Sequence, residues 1–259
     1  MTSKTSFTDV PTLLRFGDCD LRSMKDTSIV ILDDVEDCPY LDGESARMPL
    51  RMPLLKLEPE EIDKLLYDGN RRTGEFIYKT ECAACQACEP IRIDTHEYKF
   101  SKNQRRQLNR GDKKFNQRFA PLSCDESRLN LFNKHRKSRG LAKNDLDIDA
   151  EEYIWGFVRS CFESFEITYW LEDRLVCLAV CDLGKSSLSA VYTYFDTDFE
   201  ADGLGTYSIL KQIEFCQLRS LDHLYLGYYI ADSPHMNYKS RFIPNQRLID
   251  GRWTPFRSK

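Results

Sequence analysis

Three stretches of alternating apolar and polar residues between residues 165 and 195 constrain the fold of this chain most. They cover residues 165–171, 175–182 and 188–195, and short turn-forming sequences separate them. Alternation of this kind is typical of β-strands with one buried face. Because the connections are short, we expect the three strands to pair as an antiparallel meander.

A glycine-rich turn and a helix follow this predicted meander. The turn reads Gly203-Leu-Gly205-Thr206, the apolar residues after it recur with helical spacing, and another strand is predicted at residues 224–229. This order of elements resembles the core of GNAT-type acyltransferases. The sequence therefore predicts an α+β fold in which a GNAT-like acyltransferase domain follows an N-terminal cysteine-containing domain.

The charges around the glycine turn limit what it can bind. Backbone N–H groups at a helix start can bind an anion. Glu200 stands where the usual acetyltransferase turn has Arg or Gln, and Asp196, Asp198 and Asp202 lie close in sequence. These carboxylates would repel the pyrophosphate of coenzyme A, so coenzyme A is not the predicted donor. Close packing at a helix start is the alternative role of the glycines.

A cluster of cysteines precedes this region of the chain. Cys82, Cys85 and Cys88 are spaced so that a tight turn can direct three thiols at one ion or cluster, and Cys38 can supply a fourth ligand. The alternative is that these thiols are reduced and bind nothing. Four other cysteines lie in apolar runs and are predicted to be core residues: Cys161, Cys177, Cys181 and Cys216.

The charge of the chain is concentrated in its middle. By count, residues 69–144 carry +10, whereas residues 1–68 carry −7 and residues 145–203 carry −11. Eight Lys or Arg fall between residues 99 and 118, where Ser101 is a predicted helix N-cap. We expect this block to bind a polyanion locally, with an ordinary solvated helix as the alternative. The acidic linker near residue 144 suggests two domains, residues 1–144 and 145–259.

Composition excludes several other classes of protein. The sequence has no apolar stretch long enough to span a membrane, and its start lacks the apolar segment of a signal peptide. Ten cysteines in a chain of this kind are better explained as reduced thiols or metal ligands than as a disulfide framework. We therefore expect a cytoplasmic protein with no membrane or DNA partner.

Several motifs of the chain are characteristic when taken together. They are Cys38-Pro-Tyr-Leu-Asp-Gly, the three spaced cysteines, Ser101-x-x-Gln-Arg-Arg-x-Leu-x-Arg, Gly203-Leu-Gly-Thr-Tyr-Ser-Ile-Leu, Tyr225-Leu-Gly-Tyr-Tyr-Ile and Met236-Asn-Tyr-Lys-Ser-Arg-Phe-Ile-Pro. In these motifs the chain resembles the aminoacyl-tRNA protein transferases, in particular their bacterial leucine-transferring branch. The resemblance covers most of the chain from Cys38 onward. It implies transfer of leucine from leucyl-tRNA to proteins that begin with Asp or Glu, which marks them for degradation.

The resemblance also leads to hypotheses about individual residues. The phosphates of leucyl-tRNA would contact the basic block at Arg105, Arg106, Arg110, Lys134 and Arg136. Backbone amides of the glycine turn, at Gly203, Gly205 and Thr206, would stabilise the developing oxyanion. Tyr228 would donate a hydrogen bond to the ester, although nothing in the sequence distinguishes it from Tyr229. Lys239 and Arg241, beside Tyr238, would pair with the acidic side chain of the acceptor, or else be surface charges.

Two alternatives remain open at this stage. The transferred residue could be arginine from arginyl-tRNA, or the chain could be an RNA-binding protein with a degenerate acyltransferase domain. The transfer chemistry itself requires no cofactor. For the four cysteines, the resemblance allows an iron–sulfur cluster or zinc, and the sequence does not choose between them.

Overall fold

The computed structural model describes residues 28–142 and 146–257. The strands are β1 Ser28–Leu32, β2 Val35–Asp37, β3 Ser45–Arg47, β4 Leu50–Pro53, β5 Arg71–Thr73, β6 Phe76–Tyr78, β7 Glu89–Asp94, β8 Asn116–Pro121, β9 Ser164–Leu171, β10 Arg174–Leu183, β11 Ser187–Phe195, β12 His223–Tyr229, β13 Asn245–Ile249 and β14 Arg252–Phe256. The helices are α1 Pro59–Tyr67, α2 Lys102–Lys114, α3 Glu126–Ser138, α4 Ala150–Tyr153 and α5 Leu204–Leu218. No helix within these residues is both long and apolar enough to cross a membrane.

An eight-stranded sheet with the order β14-β13-β7-β12-β11-β10-β9-β8 forms the centre of the molecule. Strands β9, β10 and β11 form the predicted antiparallel meander. Helix α5 then connects β11 to β12, and these two strands run parallel. The predicted α+β fold with an acyltransferase layout is confirmed.

The alternation along β10 shows how the sheet separates two cores. Cys177, Ala179 and Cys181 point into the core beneath α2 and α5. Leu178 and Val180 point into the opposite core, which α3 and α4 cover. Successive side chains of a strand alternate between faces, so one strand contributes to both cores. The four cysteines predicted to be core residues are all buried.

Residues 28–88 form an N-terminal module of two small sheets and α1. Its four-stranded sheet has the order β1-β4-β6-β5, and β2 pairs with β3. Ile62 and Leu66 of α1 pack with Tyr225 of β12, on the side of the sheet opposite to α5. The N-terminal module and α3 therefore pack on the same face of the eight-stranded sheet, next to different strands.

Two consecutive arginines of β5 fasten this module to the sheet. Arg72 donates from Nε to both carboxylate oxygens of Asp182 at 2.8 and 2.9 Å. Arg71 donates to the hydroxyl of Ser189 and to the carbonyl of Ala190, each at 2.9 Å. Both arginines are buried, so each interaction forms away from solvent.

The predicted domain boundary lies within residues 143–145, outside the described residues. Strands from both sides of it belong to the same sheet. β7 lies between β13 and β12, and β8 forms the edge beside β9. The division into residues 1–144 and 145–259 stays a prediction, and the sheet itself crosses it.

The basic helix α2 begins as predicted. Ser101 accepts a hydrogen bond from the N–H of Gln104, whose side chain in turn accepts from the N–H of Ser101. Gly111 packs against α5 so closely that a Cβ atom would lie 2.2 Å from the ring of Tyr207. The helix is therefore part of the folded body, with its cationic side facing outward.

Other predictions needed adjustment. The sequence predicts one further strand at residues 73–78, but the structure has a hairpin of β5 and β6 there, which turns at Gly74 (φ 55°). The sequence also predicts a helix that Asp149 caps and that extends to Phe162. In the structure, the α-helix ends at Tyr153 and continues as a π-helical turn over Ile154–Val158. β7 pairs with β12 and β13, which lie more than a hundred residues further along the chain, and local periodicity does not reveal such pairings.

Loss of the buried ion pair between Arg72 and Asp182 should strongly destabilise the folded protein. We expect Arg72→Met to lower the free energy of unfolding by roughly 3–5 kcal/mol, because it leaves Asp182 buried without its cation. The control is Arg51→Met, which removes an exposed arginine 4.0 Å from Glu81 and should cost about 1 kcal/mol or less. Urea unfolding of the three proteins measures both effects, and equal losses in the two variants would contradict this account of the interface.

Candidate active site

A group of buried polar residues lies where the N-terminal module meets the end of β12. Tyr228 is 2% exposed, and its hydroxyl donates to the carbonyl of Gly69 at 3.3 Å. Its backbone carbonyl accepts a hydrogen bond of 2.6 Å from Nζ of Lys239. The predicted ester-binding tyrosine and a predicted carboxylate-binding lysine are therefore direct neighbours.

Lys239 is a buried cation that lies close to a second one, Arg71. It is 6% exposed, and burial, together with the positive charge of Arg71, lowers its pKa to about 7. Among the described residues, no carboxylate forms an ion pair with Lys239 or Arg71. Unpaired buried charge is unfavourable, so this location favours the arrival of an anion.

An opening in the sheet admits the Arg71 side chain. β11 and β12 pair only over Ser187–Ser189 and His223–Tyr225. Beyond that point the guanidinium group reaches the carbonyl of Ala190. Gly227 has φ +83°, and a Cβ there would lie 3.3 Å from Nη2 of Arg71. Glycine thus provides both the backbone conformation and the space that Arg71 needs.

The other residues predicted to recognise the acceptor differ in exposure. Tyr238 is 38% exposed, and Nζ of Lys239 lies 5.8 Å from the centroid of its ring. Arg241 is exposed at the end of the short 3₁₀ segment Asn237–Arg241. Of the two predicted cations, only Lys239 lies in the buried site.

The four predicted metal ligands are neighbours beside this site. Burial and the nearby thiols of Cys38, Cys82 and Cys85 raise the pKa of Cys88 to about 12, while Lys239 opposes that shift. Thiols that raise one another's pKa are groups that a soft metal would deprotonate and bind. Within residues 28–142 and 146–257, however, no three His, Cys, Asp or Glu side chains already have the geometry of a metal site.

The glycine turn lies elsewhere, at the start of α5 on the opposite face of the sheet. Gly203 has φ +63°, and its N–H donates to the carbonyl of Glu200 at 2.9 Å, so this amide is already engaged. A Cβ on Gly205 would lie 3.1 Å from the ring of Phe195. Thr206 is exposed. Close packing accounts for both glycines, and the structure does not bring them into contact with Tyr228.

The predicted phosphate-binding residues fall into two groups. Arg105, Arg106 and Arg110 are exposed on α2, and Arg110 also donates to the carbonyl of Asp202. Lys134 of α3 is already paired, because its Nζ lies 2.6 Å from carboxylate oxygens of both Asp196 and Asp198. Among these four residues, the positive charge that no carboxylate neutralises is therefore on α2.

Arg136 lies on the other predicted tRNA-binding helix, α3. Its guanidinium group lies 5.5 Å from the centroid of the Phe132 ring, and its Nη1 is buried without a hydrogen-bond partner among the described residues. This nitrogen retains an unused donor, which a bound phosphate or base could accept.

Sequence reasoning missed Arg71, the second cation of the site. The only local signal is an arginine pair within a short strand, Arg71-Arg72 in β5. Charged residues are seldom fully buried without a partner. Two arginines directly before a predicted strand could therefore have been recognised as an unusual feature.

Comparison with known proteins places the chain in a family. The model described as the N terminus of arginine-tRNA-protein transferase matches residues 36–106, and the model of its C terminus matches residues 127–249. The aspartate/glutamate leucyltransferase of Acinetobacter baylyi is 36% identical over 218 residues, which are 84% of this chain and 80% of that protein. The chain belongs to the aminoacyl-tRNA protein transferase family.

A second relative agrees with this assignment. The aspartate/glutamate leucyltransferase of Thiobacillus denitrificans is 37% identical over 84% of this chain and 90% of its own length. Among solved structures, the C-terminal domain of a lysylphosphatidylglycerol synthetase from Agrobacterium fabrum aligns with a TM-score of 0.45 and 10% identity, covering 56% of this chain and 47% of that one. The family models and the two bacterial relatives show that the protein is an aminoacyltransferase that moves an aminoacyl group from tRNA to protein.

Proposed function

We propose that this enzyme transfers leucine from leucyl-tRNA to the α-amine of proteins that begin with Asp or Glu, and so creates a signal for degradation. The observation that carries the proposal is the pair of buried cations, Lys239 and Arg71, which have no carboxylate partner among the described residues. The names of the two bacterial relatives support leucine as the transferred residue and acidic N-termini as the acceptors.

The cation pair suits an acidic acceptor side chain. A carboxylate that enters beside Lys239 would favour its charged form and compensate the charge of Arg71. Because the site is largely removed from solvent, such a pair would be stronger than one on the surface. An N-terminal Asn or Gln has similar size but no charge, and would leave the two cations uncompensated.

The transfer chemistry requires little beyond positioning. An α-amine has a pKa near 7.7–8.0, so an appreciable fraction is already neutral and nucleophilic near pH 7. It attacks the activated ester, the peptide bond forms, and the ribose oxygen of the tRNA leaves. Holding amine and ester in contact can lower the barrier by up to roughly 7–11 kcal/mol. Tyr228 would have to release Gly69 before its hydroxyl could bind the ester.

The exposed arginines of α2 would hold the tRNA by its phosphates. Planar guanidinium groups match phosphate oxygens, and A-form RNA is recognised mainly through its backbone and shape. Lys134 would contribute less, because Asp196 and Asp198 already neutralise it. Arg105, Arg106 and Arg110 are therefore the central members of the tRNA-binding set.

Cys38, Cys82, Cys85 and Cys88 would hold zinc or an iron–sulfur cluster. The ion would lock the N-terminal module beside β12 and supply structural stability, since thiolate sites contribute folding energy directly. Metal analysis of purified protein tests this proposal. We expect about one metal site per chain in the wild type and its loss in Cys85→Ser, and a metal-free wild type purified without oxygen or chelator would contradict it.

A transfer assay tests the proposed function. Labelled leucyl-tRNA or arginyl-tRNA is incubated with peptides that begin with Asp or Asn. We expect leucine on the Asp peptide, and roughly a 10- to 100-fold loss of the preference for Asp over Asn in Lys239→Met, because one charge-assisted hydrogen bond is lost. The control is Lys185→Met, an exposed lysine paired with Glu60 at 2.9 Å.

Each contrary outcome of this assay has its own meaning. Product only from arginyl-tRNA would replace leucine with arginine. A lack of product from both donors, with tRNA binding intact, would favour a non-catalytic RNA-binding protein. An unchanged preference in a folded Lys239→Met variant would remove Lys239 from acceptor recognition.

A further inference from the structure

A cavity of about 250 Å³ opens in the N-terminal module next to the buried cations. It is lined by Leu32, Asp34, Glu36, Tyr40, Ala46, Met48, Leu50, Thr73 and Tyr78. Most of these side chains are apolar, and the buried or half-buried ones, such as Ala46, Met48 and Leu50, form its inner wall. The cavity therefore favours a small aliphatic group.

The rim of this cavity carries negative charge. Asp34 and Glu36 are both exposed, and among the described residues neither forms an ion pair. Their neighbour Asp33 differs, because Nη2 of Arg47 lies 2.6 Å from its carboxylate. A ligand with an aliphatic group and an adjacent cation would satisfy both the inner wall and the rim.

The cavity and the cation site share a wall of tyrosines. The rings of Tyr78 and Tyr228 have centroids 6.4 Å apart. Tyr40 lines the cavity beside Tyr78. A group bound in the cavity is therefore separated from the Tyr228–Lys239 site by little more than these rings.

We propose that this cavity binds the leucyl group of the donor, with the isobutyl side chain against the inner wall and the α-ammonium beside Asp34 and Glu36. This inference rests on the proposed function. The acceptor does not fit here, because its acidic side chain would be repelled by the rim. The two substrates thus bind on opposite sides of Tyr78: the cationic donor at the carboxylates, and the anionic acceptor at Lys239 and Arg71.

This placement would also favour leucine over arginine. Carboxylates at the rim can pair with one ammonium group, which both aminoacyl groups carry. The isobutyl group of leucine would bring only aliphatic atoms to the apolar inner wall, whereas a guanidinium group placed against that wall would lose its hydration.

A binding experiment that needs no acceptor tests this inference. The probes are two stable tRNAs acylated through an amide bond to a 3′-amino terminus, one with leucine and one with its α-hydroxy analogue, which lacks the ammonium. We expect the wild type to bind the leucyl form about fivefold more tightly, as for an exposed ion pair. The variant Asp34→Asn/Glu36→Gln should bind both forms equally.

The control is Asp42→Asn/Glu44→Gln, which removes two exposed carboxylates that do not line the cavity and should keep the wild-type preference. No preference in the wild type, or an unchanged preference in Asp34→Asn/Glu36→Gln, would overturn the inference. If Asp34→Asn/Glu36→Gln lost as much affinity for uncharged tRNA as for leucyl-tRNA, the rim would contact the RNA itself. That result would also overturn the inference. A preserved preference without transfer to an Asp peptide would overturn the proposed function alone.

Discussion

The contact of Arg71 and Arg72 with the large sheet determines where everything else in the site lies. Arg72 is held by Asp182 of β10, and Arg71 is held by Ser189 and Ala190 of β11. Together they fix β5, and through its hairpin they fix Tyr78 beside Tyr228. A buried pair of this kind contributes little net stability compared with apolar packing, but it specifies one arrangement, since any other leaves charges buried and unpaired.

The two arginines nevertheless have different roles. Arg72 has a carboxylate partner and completes a neutral pair. Among the described residues Arg71 has only neutral acceptors, so its positive charge adds to the larger effect of burial in lowering the pKa of Lys239. The same short strand therefore supplies an anchor and half of a binding site for an anion. Functional sites often contain such uncompensated groups, which a substrate then completes.

Local features of the chain could be predicted from sequence, whereas the site depended on distant pairings. Ser101 caps α2 and Pro59 begins α1, because caps and first-turn prolines act within a few residues. The meander followed from alternation. The role of Arg71 could not be predicted, because it depends on where β11 and β12 separate, more than a hundred residues further along the chain.

The two lysines predicted to bind substrates differ in whether their charge is available in the structure. Lys239 was proposed from its aromatic surroundings, and its burial strengthens that proposal. Lys134 was proposed from a cluster of basic residues, but the acidic segment after β11 folds back onto it. Charge counts along a sequence do not show which cations are neutralised in space, so the free arginines of α2 emerge only from the structure.

The central claim is that α2 holds the tRNA while a separate buried site performs the transfer. The most direct measurement is the salt dependence of leucyl-tRNA binding and transfer for Arg105→Glu/Arg106→Glu/Arg110→Glu, with Lys134→Glu as the comparison. The account predicts at least a tenfold loss in kcat/KM for the triple variant and a salt slope smaller by about 2–3. Lys134→Glu should change both far less. Turnover by the triple variant equal to that of the wild type would contradict the claim.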